Sequence, residues 1–403
     1  MLSITKTKQS LYYDHALRLL AYATWEKGRQ AANRREQIQS LKQCADAYDA
    51  LVNDENKANE YLYNHYGNVL KLMAKIESRK ERQIEHIEKS QLMYRKAMDA
   101  NPKELRYVKN YAGALREQFR STSDNQQKFD IISRTVDELI KVSQTCLKLI
   151  IDPQCRQTRH VYVDLLNDTA ISVRMKVAMM TDRGAALETL NNCTAFLDAA
   201  HKASPENHFV LSSYGNHYFF KALLEKDPGD KKKCCERGLK MFEDSHQKKS
   251  DDAITLAHWG RMLWLDGLFK SDTARKRSFD TAVEKFREAL KIRPDDLWTK
   301  AFLGWVNFEV ILCSYPVLKI DADCIQKRVL RFWDEADEVV KGYCARFRAA
   351  FEIYKNPTEP TTQVLYWLNE AKNSGTIESW WEAASITQFA NFTDLPAFKK
   401  IWE

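Results

Sequence analysis

The chain has 403 residues, a formal net charge of +7, 44% apolar and 29% charged side chains, which suits a soluble chain with a sizeable core and excludes a disordered one. Its 12 Gly and 9 Pro make up about 5% of the residues, under half their usual share of roughly 12%. Tight turns are therefore few and regular elements long, which excludes most all-β and disulfide-scaffold folds. Basic residues lead acidic ones 26 to 19 over 1–150 and 25 to 22 over 151–300, while acids lead 14 to 11 over 301–403. A dedicated nucleic-acid binder concentrates its charge more than this.

In chain order, helices are expected over about 9–28 and 34–53, an N-terminal pair. Pairs then follow at 60–77/84–100, 104–120/128–151, 157–181/184–203, 208–225/231–248, 252–269/278–292 and 296–314/322–354. Asn356-Pro357 and Glu359-Pro360 break the last long helix, because a residue before proline is pushed out of the helical region. Shorter helices at 360–373 and 376–390 finish the chain. The expected organisation is a helical pair over 1–59, repeats over 60–314, and a long helix with a helical cap over 315–403. With no Ser/Gly-rich linker between them, these read as one continuous solenoid.

Two tracts reveal an internal repeat. YLYNHYGNVLKLMA (61–74) is followed by IEKSQLMYRKAMDANP (87–102), and TLAHWGRMLWLDG (255–267) by FDTAVEKFREALKIRP (279–294). An aromatic–Gly pair (Tyr66-Gly67, Trp259-Gly260) precedes a leucine at +3. The second helix carries a small residue, then an aromatic at +4, Ala at +7 and Pro at +12, as in Ser90/Tyr94/Ala97/Pro102 and Ala282/Phe286/Ala289/Pro294. The glycine column continues as Gly215, Gly260 and Gly304, at steps of 45 and 44 residues. Where two antiparallel helices cross closely only a small residue fits, an aromatic fills the neighbouring gap, and Pro ends the helix. One such hairpin cannot bury its apolar face alone, so the units must stack.

These residues resemble the tetratricopeptide (TPR) repeat, which carries Trp, Leu-Gly and Tyr on its first helix and Ala, Phe, Ala and a closing Pro on its second, within 34 residues. Here the repeat is about 45 residues, and the additional 10–11 are expected in a lengthened loop between the helices. The resemblance covers roughly 60–310, least well over 120–180. It implies an all-α, TPR-like α-solenoid of antiparallel helix pairs forming a right-handed superhelix, capped by C-terminal helices.

Enzymatic signatures are missing: there is no GxxxxGK[ST], GxGxxG, HExxH, GxSxG or CxxC. Adjacent Cys234 and Cys235 are poor zinc geometry. Acid pairs Asp251-Asp252 and Asp295-Asp296 stand where caps and the helix dipole favour them. No catalytic residue, metal or cofactor is expected. Nine scattered cysteines read as buried thiols of a reducing, cytoplasmic compartment. MLSITKTKQS lacks an apolar leader and no 18-residue charge-free apolar run occurs, so neither secretion nor membrane anchoring is expected. Basic clusters Arg79-Lys80-Arg82, Lys231-Lys232-Lys233 and Arg275-Lys276-Arg277 fall in the expected loops, along one edge of the array.

The resemblance implies a groove lined by the first helices. Its early part carries Asn64, Asn68, Arg106, Lys109, Asn110 and Arg116. Its later part carries Asn216, Phe219, Arg261, Trp264, Trp298, Phe302 and Trp305, so the groove is expected to be polar and basic toward the N-terminus and aromatic toward the C-terminus. Asn68 and Asn110 match the two asparagines of TPR arrays that capture a C-terminal carboxylate, but Asn64 replaces their lysine. The leading functional expectation is a non-catalytic scaffold or adaptor that binds a peptide or helix of a protein partner. One alternative is RNA binding on the basic part, with aromatics stacking bases. Another is a regulatory subunit of an enzyme supplied by another chain.

Overall fold

Short polar side chains start the helices at the places where the sequence puts them. The side chains of Asn59, Asp182, Asn207, Asp227 and Asp252 each accept a backbone N–H from the first turn that follows. This satisfies donors that have no partner inside a helix. Asp296 does the same for the N–H of Thr299, at 2.9 Å. The computed structural model describes residues 20–27, 34–53, 58–122, 124–149, 159–314, 325–339, 343–355 and 362–373. Among them all regular structure is helical and no strand occurs. The expected helix at 376–390 and most of that at 9–28 lie outside the described residues.

The chain forms two compact units, Met1–Cys146 and Leu147–Glu403. The first holds α1 (Arg34–Val52), α2 (Glu60–Ile76), α3 (Lys80–Ala100), α4 (Leu105–Ser121) and most of α5 (Asn125–Leu149). α1 packs on α2, α2 on α3 and α3 on α4, and α2 also meets α4. Tyr48 and Tyr66 stack at 5.9 Å in its core, and the Tyr66 hydroxyl donates to Asp49 at 2.8 Å.

The second unit begins with α6 (Arg159–Met179), α7 (Arg183–Asn192) and α8 (Thr194–Ala203). Two hairpins follow: α9 (His208–Leu224) with α10 (Pro228–Lys248), and α11 (Ala253–Leu268) with α12 (Asp272–Ile292). Then come α13 (Leu297–Ser314), a π-helical turn Gln326–Leu330 leading into α14 (Arg331–Val339), and finally α15 (Ala345–Lys355) and α16 (Thr362–Asn373). Within this unit each hairpin packs on the next, and α6, α9, α11 and α13 touch in succession, so the first helices form a face of their own.

The glycine column is the crossing point of the hairpins in both units. A Cβ on Gly67 would lie 2.6 Å from the Tyr94 ring, and one on Gly215 the same distance from Phe242. On Gly260 it would lie 3.0 Å from Phe286, and on Gly304 2.5 Å from the Trp333 indole. Tyr94 and Phe286 are the aromatics expected at the +4 position of the second helix. Each ring fills the space that its glycine leaves, as close packing requires.

Two expectations are corrected. The additional residues of the repeat do not lengthen the inter-helix loop; they lengthen the second helix. α3, α10 and α12 are 21 residues each, and only three residues separate each from the preceding helix. The reason is local: Asp227 caps α10 with Pro228 preset in its first turn, and Lys and Arg are good helix formers. The basic clusters therefore ride on the first two turns of these helices or on the cap before them, where acids on the same helices meet two of them. Lys233 pairs with Asp230 at 3.0 Å and Lys276 with Asp280 at 2.8 Å. The long helix expected over 322–354 is the second difference, since its described parts are the π-helical turn, α14 and α15.

Candidate partner-binding faces

In the N-terminal unit the first-helix face is built from α2 and α4, and its side chains stay in reach of solvent. Asn110 donates from Nδ2 to Asn64 Oδ1 at 2.8 Å, an amide pair bridging the two helices. Asn68 accepts the Tyr94 hydroxyl at 2.8 Å and so braces the Gly67 crossing. Lys71 lies 5.4 Å over the same ring. A Cβ on Gly113 would meet Lys71 Nζ at 3.4 Å and Arg116 Nη2 at 4.0 Å. Gly113 is thus a bare floor between two cations, with Lys109 half-buried one turn before it. Arg106 is exposed at the start of α4 and grips Glu104 with two hydrogen bonds, at 3.0 and 2.8 Å. That pair spends much of the positive charge expected there, and holds the Glu104 carboxyl below its usual range through the Arg106 hydrogen bond.

In the C-terminal unit the corresponding row is interior. Phe219, Trp264, Phe302 and Trp305 are buried, and so are Asn216 and Arg261. Trp298 packs on Phe302 at 4.5 Å, and Trp305 stacks on Phe347 of α15 at 5.4 Å. The aromatic stretch expected toward the C-terminal end of the groove is the seam where neighbouring first helices meet, because large rings fill the gap between them. Of the expected groove aromatics only Trp298 keeps a half-buried edge, while Phe209 and Ile254, at the same register on α9 and α11, stand 56% and 46% exposed.

Polar groups are trapped in that seam. Arg261 lies 3.9 Å over the Phe219 ring, 5.4 Å from Trp298, and donates to Asn216 Oδ1 at 3.4 Å. Arg174 on α6 donates to Ser213 Oγ at 2.6 Å, and Arg346 on α15 lies 5.2 Å over Phe302. Arg174, Arg261 and Arg346 fall 87 and 85 residues apart, on alternate first helices of this unit, with the rings of α9 and α13 between them. His217 meets Thr194 at 3.2 Å and Cys193 at 3.8 Å; burial first, then Arg174 and Lys221, pull its pKa down to about 3. Burial pushes Glu309 up to about 7, with Arg275 opposing. The sequence grid missed Arg174, because no glycine registers on α6, and missed Arg346 and Glu309, which fall outside the groove positions of the repeat.

No cluster of three or more His, Cys, Asp or Glu gathers among the described residues. The described cysteines are free thiols, and burial raises the pKa of each, Cys44 and Cys193 to about 11, so at neutral pH they are protonated and poorly nucleophilic. No described helix is long and apolar enough to cross a membrane.

No family model and no curated protein matches the chain. Solved structures do resemble it. Yeast Tom70 is 12% identical, with 88% of this chain and 76% of that chain covered and a TM-score of 0.31. The human IFIT1 dimer with PPP-AAAA is 14% identical over 94% and 90% of the two chains, with a TM-score of 0.34. The P58(IPK) TPR domain is 15% identical over 88% and 98%, with a TM-score of 0.18.

Proposed function

We propose that this TPR-like helical-repeat protein is a non-catalytic scaffold that holds an acidic segment of a partner protein on the α2–α4 face of its N-terminal unit. The observation that carries this reading is the contrast between the two units. The row that is ring-packed core in the C-terminal unit is an amide-and-cation surface here, with Asn64 and Asn110 bridging the helices and Lys71 and Arg116 flanking the bare backbone at Gly113. Side chains of this kind orient a carboxylate-bearing segment and speed its encounter, while the rigid helices keep the ordering cost low.

The test uses the full chain purified from its own cells at low salt, with mass spectrometry of what accompanies it and absorbance at 260 and 280 nm. A protein that co-purifies with the wild type, and is lost from Lys71→Glu/Arg116→Glu with helicity unchanged, supports the reading. The double reversal is expected to weaken binding by on the order of tenfold or more, since like-charge juxtaposition costs several kcal/mol. A nucleic-acid signal that the same variant abolishes would replace the partner segment with RNA. A partner retained undiminished by the variant would remove this face from the interaction.

A further inference from the structure

The cross-helix contacts of the α2–α4 face leave one gap. Asn64 and Asn110 bridge the two helices at 2.8 Å, and two turns further along α4 Lys75 and Glu117 bridge them again at 3.2 Å. Two turns of helix span roughly 10 Å. Between the bridges stands Gly113, where α4 puts no side chain into the face and the backbone is only half-buried. The point that a Cβ would occupy there has Lys71 Nζ 3.4 Å away and Arg116 Nη2 4.0 Å away. No other side chain beyond its chain neighbours comes within 4 Å of that point among the described residues. At the hairpin crossings a ring fills the space left by the glycine; here two cations surround it. Neither a crossing nor a turn requires glycine at this position, and the remaining reason for one is close approach of a ligand to the backbone.

The charge around the gap favours an anion. α2 and α4 together carry six basic residues against two acidic ones. Of those acids Glu117 is already met by Lys75 and, at 2.9 Å, by Arg120. The Tyr94 ring lies 5.4 Å under Lys71 Nζ and steadies it. Asn68 accepts the Tyr94 hydroxyl through Oδ1, which leaves Nδ2 as the end that donates. Two cations converging on one point over bare backbone suit a dianion with three acceptor oxygens better than the single charge of a carboxylate. Contacts between solvated side chains are weak, so Lys71 and Arg116 can turn from their present neighbours to that dianion. Tyr94 and Tyr111, the latter two residues before Gly113, are buried, so neither gives a nucleic-acid base a stacking platform beside the gap.

We propose that the partner segment carries a phosphoserine or phosphothreonine whose phosphate seats over Gly113 between Lys71 and Arg116, so that phosphorylation of the partner switches its binding on. This rests on the α2–α4 face being the surface that holds the partner, and narrows the acidic segment to a phosphorylated one.

The test is fluorescence anisotropy of the full chain with a fluorescein-labelled degenerate peptide library centred on phosphoserine, compared with the same library centred on glutamate and on serine. The phosphoserine library is expected to bind on the order of tenfold more tightly than the glutamate library, through its second charge and third oxygen, and the serine library most weakly. Gly113→Leu keeps both cations and puts a side chain into the gap, so it should erase the preference for phosphoserine while binding of the glutamate library persists. Arg116→Gln should also reduce the preference, which covers a Gly113→Leu chain that loses helicity. Equal binding of the phosphoserine and glutamate libraries, no binding of the phosphoserine library, or a preference that survives both variants would each overturn the proposal. So would a 5′-phosphorylated single-stranded RNA that displaces the phosphoserine library from the wild type and fails to bind Gly113→Leu. The acidic-segment reading fails by a different result, a natural partner retained in Lys71→Glu/Arg116→Glu.

Discussion

At the residue scale, the same side-chain types play opposite parts in the two units. Asn64 and Asn110 meet across α2 and α4 at a solvated face, whereas Asn216 is buried and accepts from Arg261. Glu309 shows what burial does to a carboxyl that keeps one oxygen unpartnered among the described residues. Its pKa rises to about 7, mainly by desolvation. The folded protein thus binds a proton that the unfolded chain releases near 4.5, so stability is full below about 4.5 and falls as pH rises to about 7. Denaturant unfolding across that range should show wild type losing about 3 kcal/mol relative to Glu309→Gln. Parallel pH profiles for the two proteins would mean that Glu309 finds a counter-charge.

At the element scale, the glycine crossings set how closely hairpins close, and they divide the glycines into two kinds. A Cβ on Gly260 would lie 3.0 Å from the Phe286 ring and 3.1 Å from the Ala282 carbonyl oxygen, so a large side chain cannot fit without displacing α12. Gly113 faces only the flexible ends of Lys71 and Arg116, at 3.4 and 4.0 Å. Gly260→Trp should therefore lose cooperative unfolding or aggregate, read by circular dichroism and sedimentation. Gly113→Ala should melt at or slightly above the wild-type midpoint, because Ala favours the helix by about 1 kcal/mol over Gly. A wild-type melt for Gly260→Trp would refute the crossing. The same scale explains where the additional residues of the repeat go: a basic, Pro- or Ser-initiated stretch has the composition of a loop, yet its i,i+3 and i,i+4 ion pairs and caps serve a helix equally well.

At the scale of the whole molecule, positive charge is concentrated over residues 1–150 and partly spent on internal pairs, such as Arg106 with Glu104 and Lys89 with Asp49. Binding of an acidic segment at the α2–α4 face should weaken moderately between 50 and 300 mM salt and persist, whereas a polyanion held by many phosphate contacts loses affinity by orders of magnitude over a similar range. A salt titration of the purified complex distinguishes the two. The sequence by itself determined the all-helical class, the hairpin repeat and its glycine–aromatic register, because these follow from spacing along one chain and from residue size. The caps at Asp252 and Asp296 were legible for the same reason. Only the tertiary structure decided which first-helix residues are surface and which are core. Phe219, Trp264, Phe302 and Trp305 occupy groove positions of the repeat, but their exposure depends on how closely the next first helix approaches. Arg174 on α6 and Arg261 on α11 are 87 residues apart, and both are buried in the seam that the packing of α6, α9 and α11 creates.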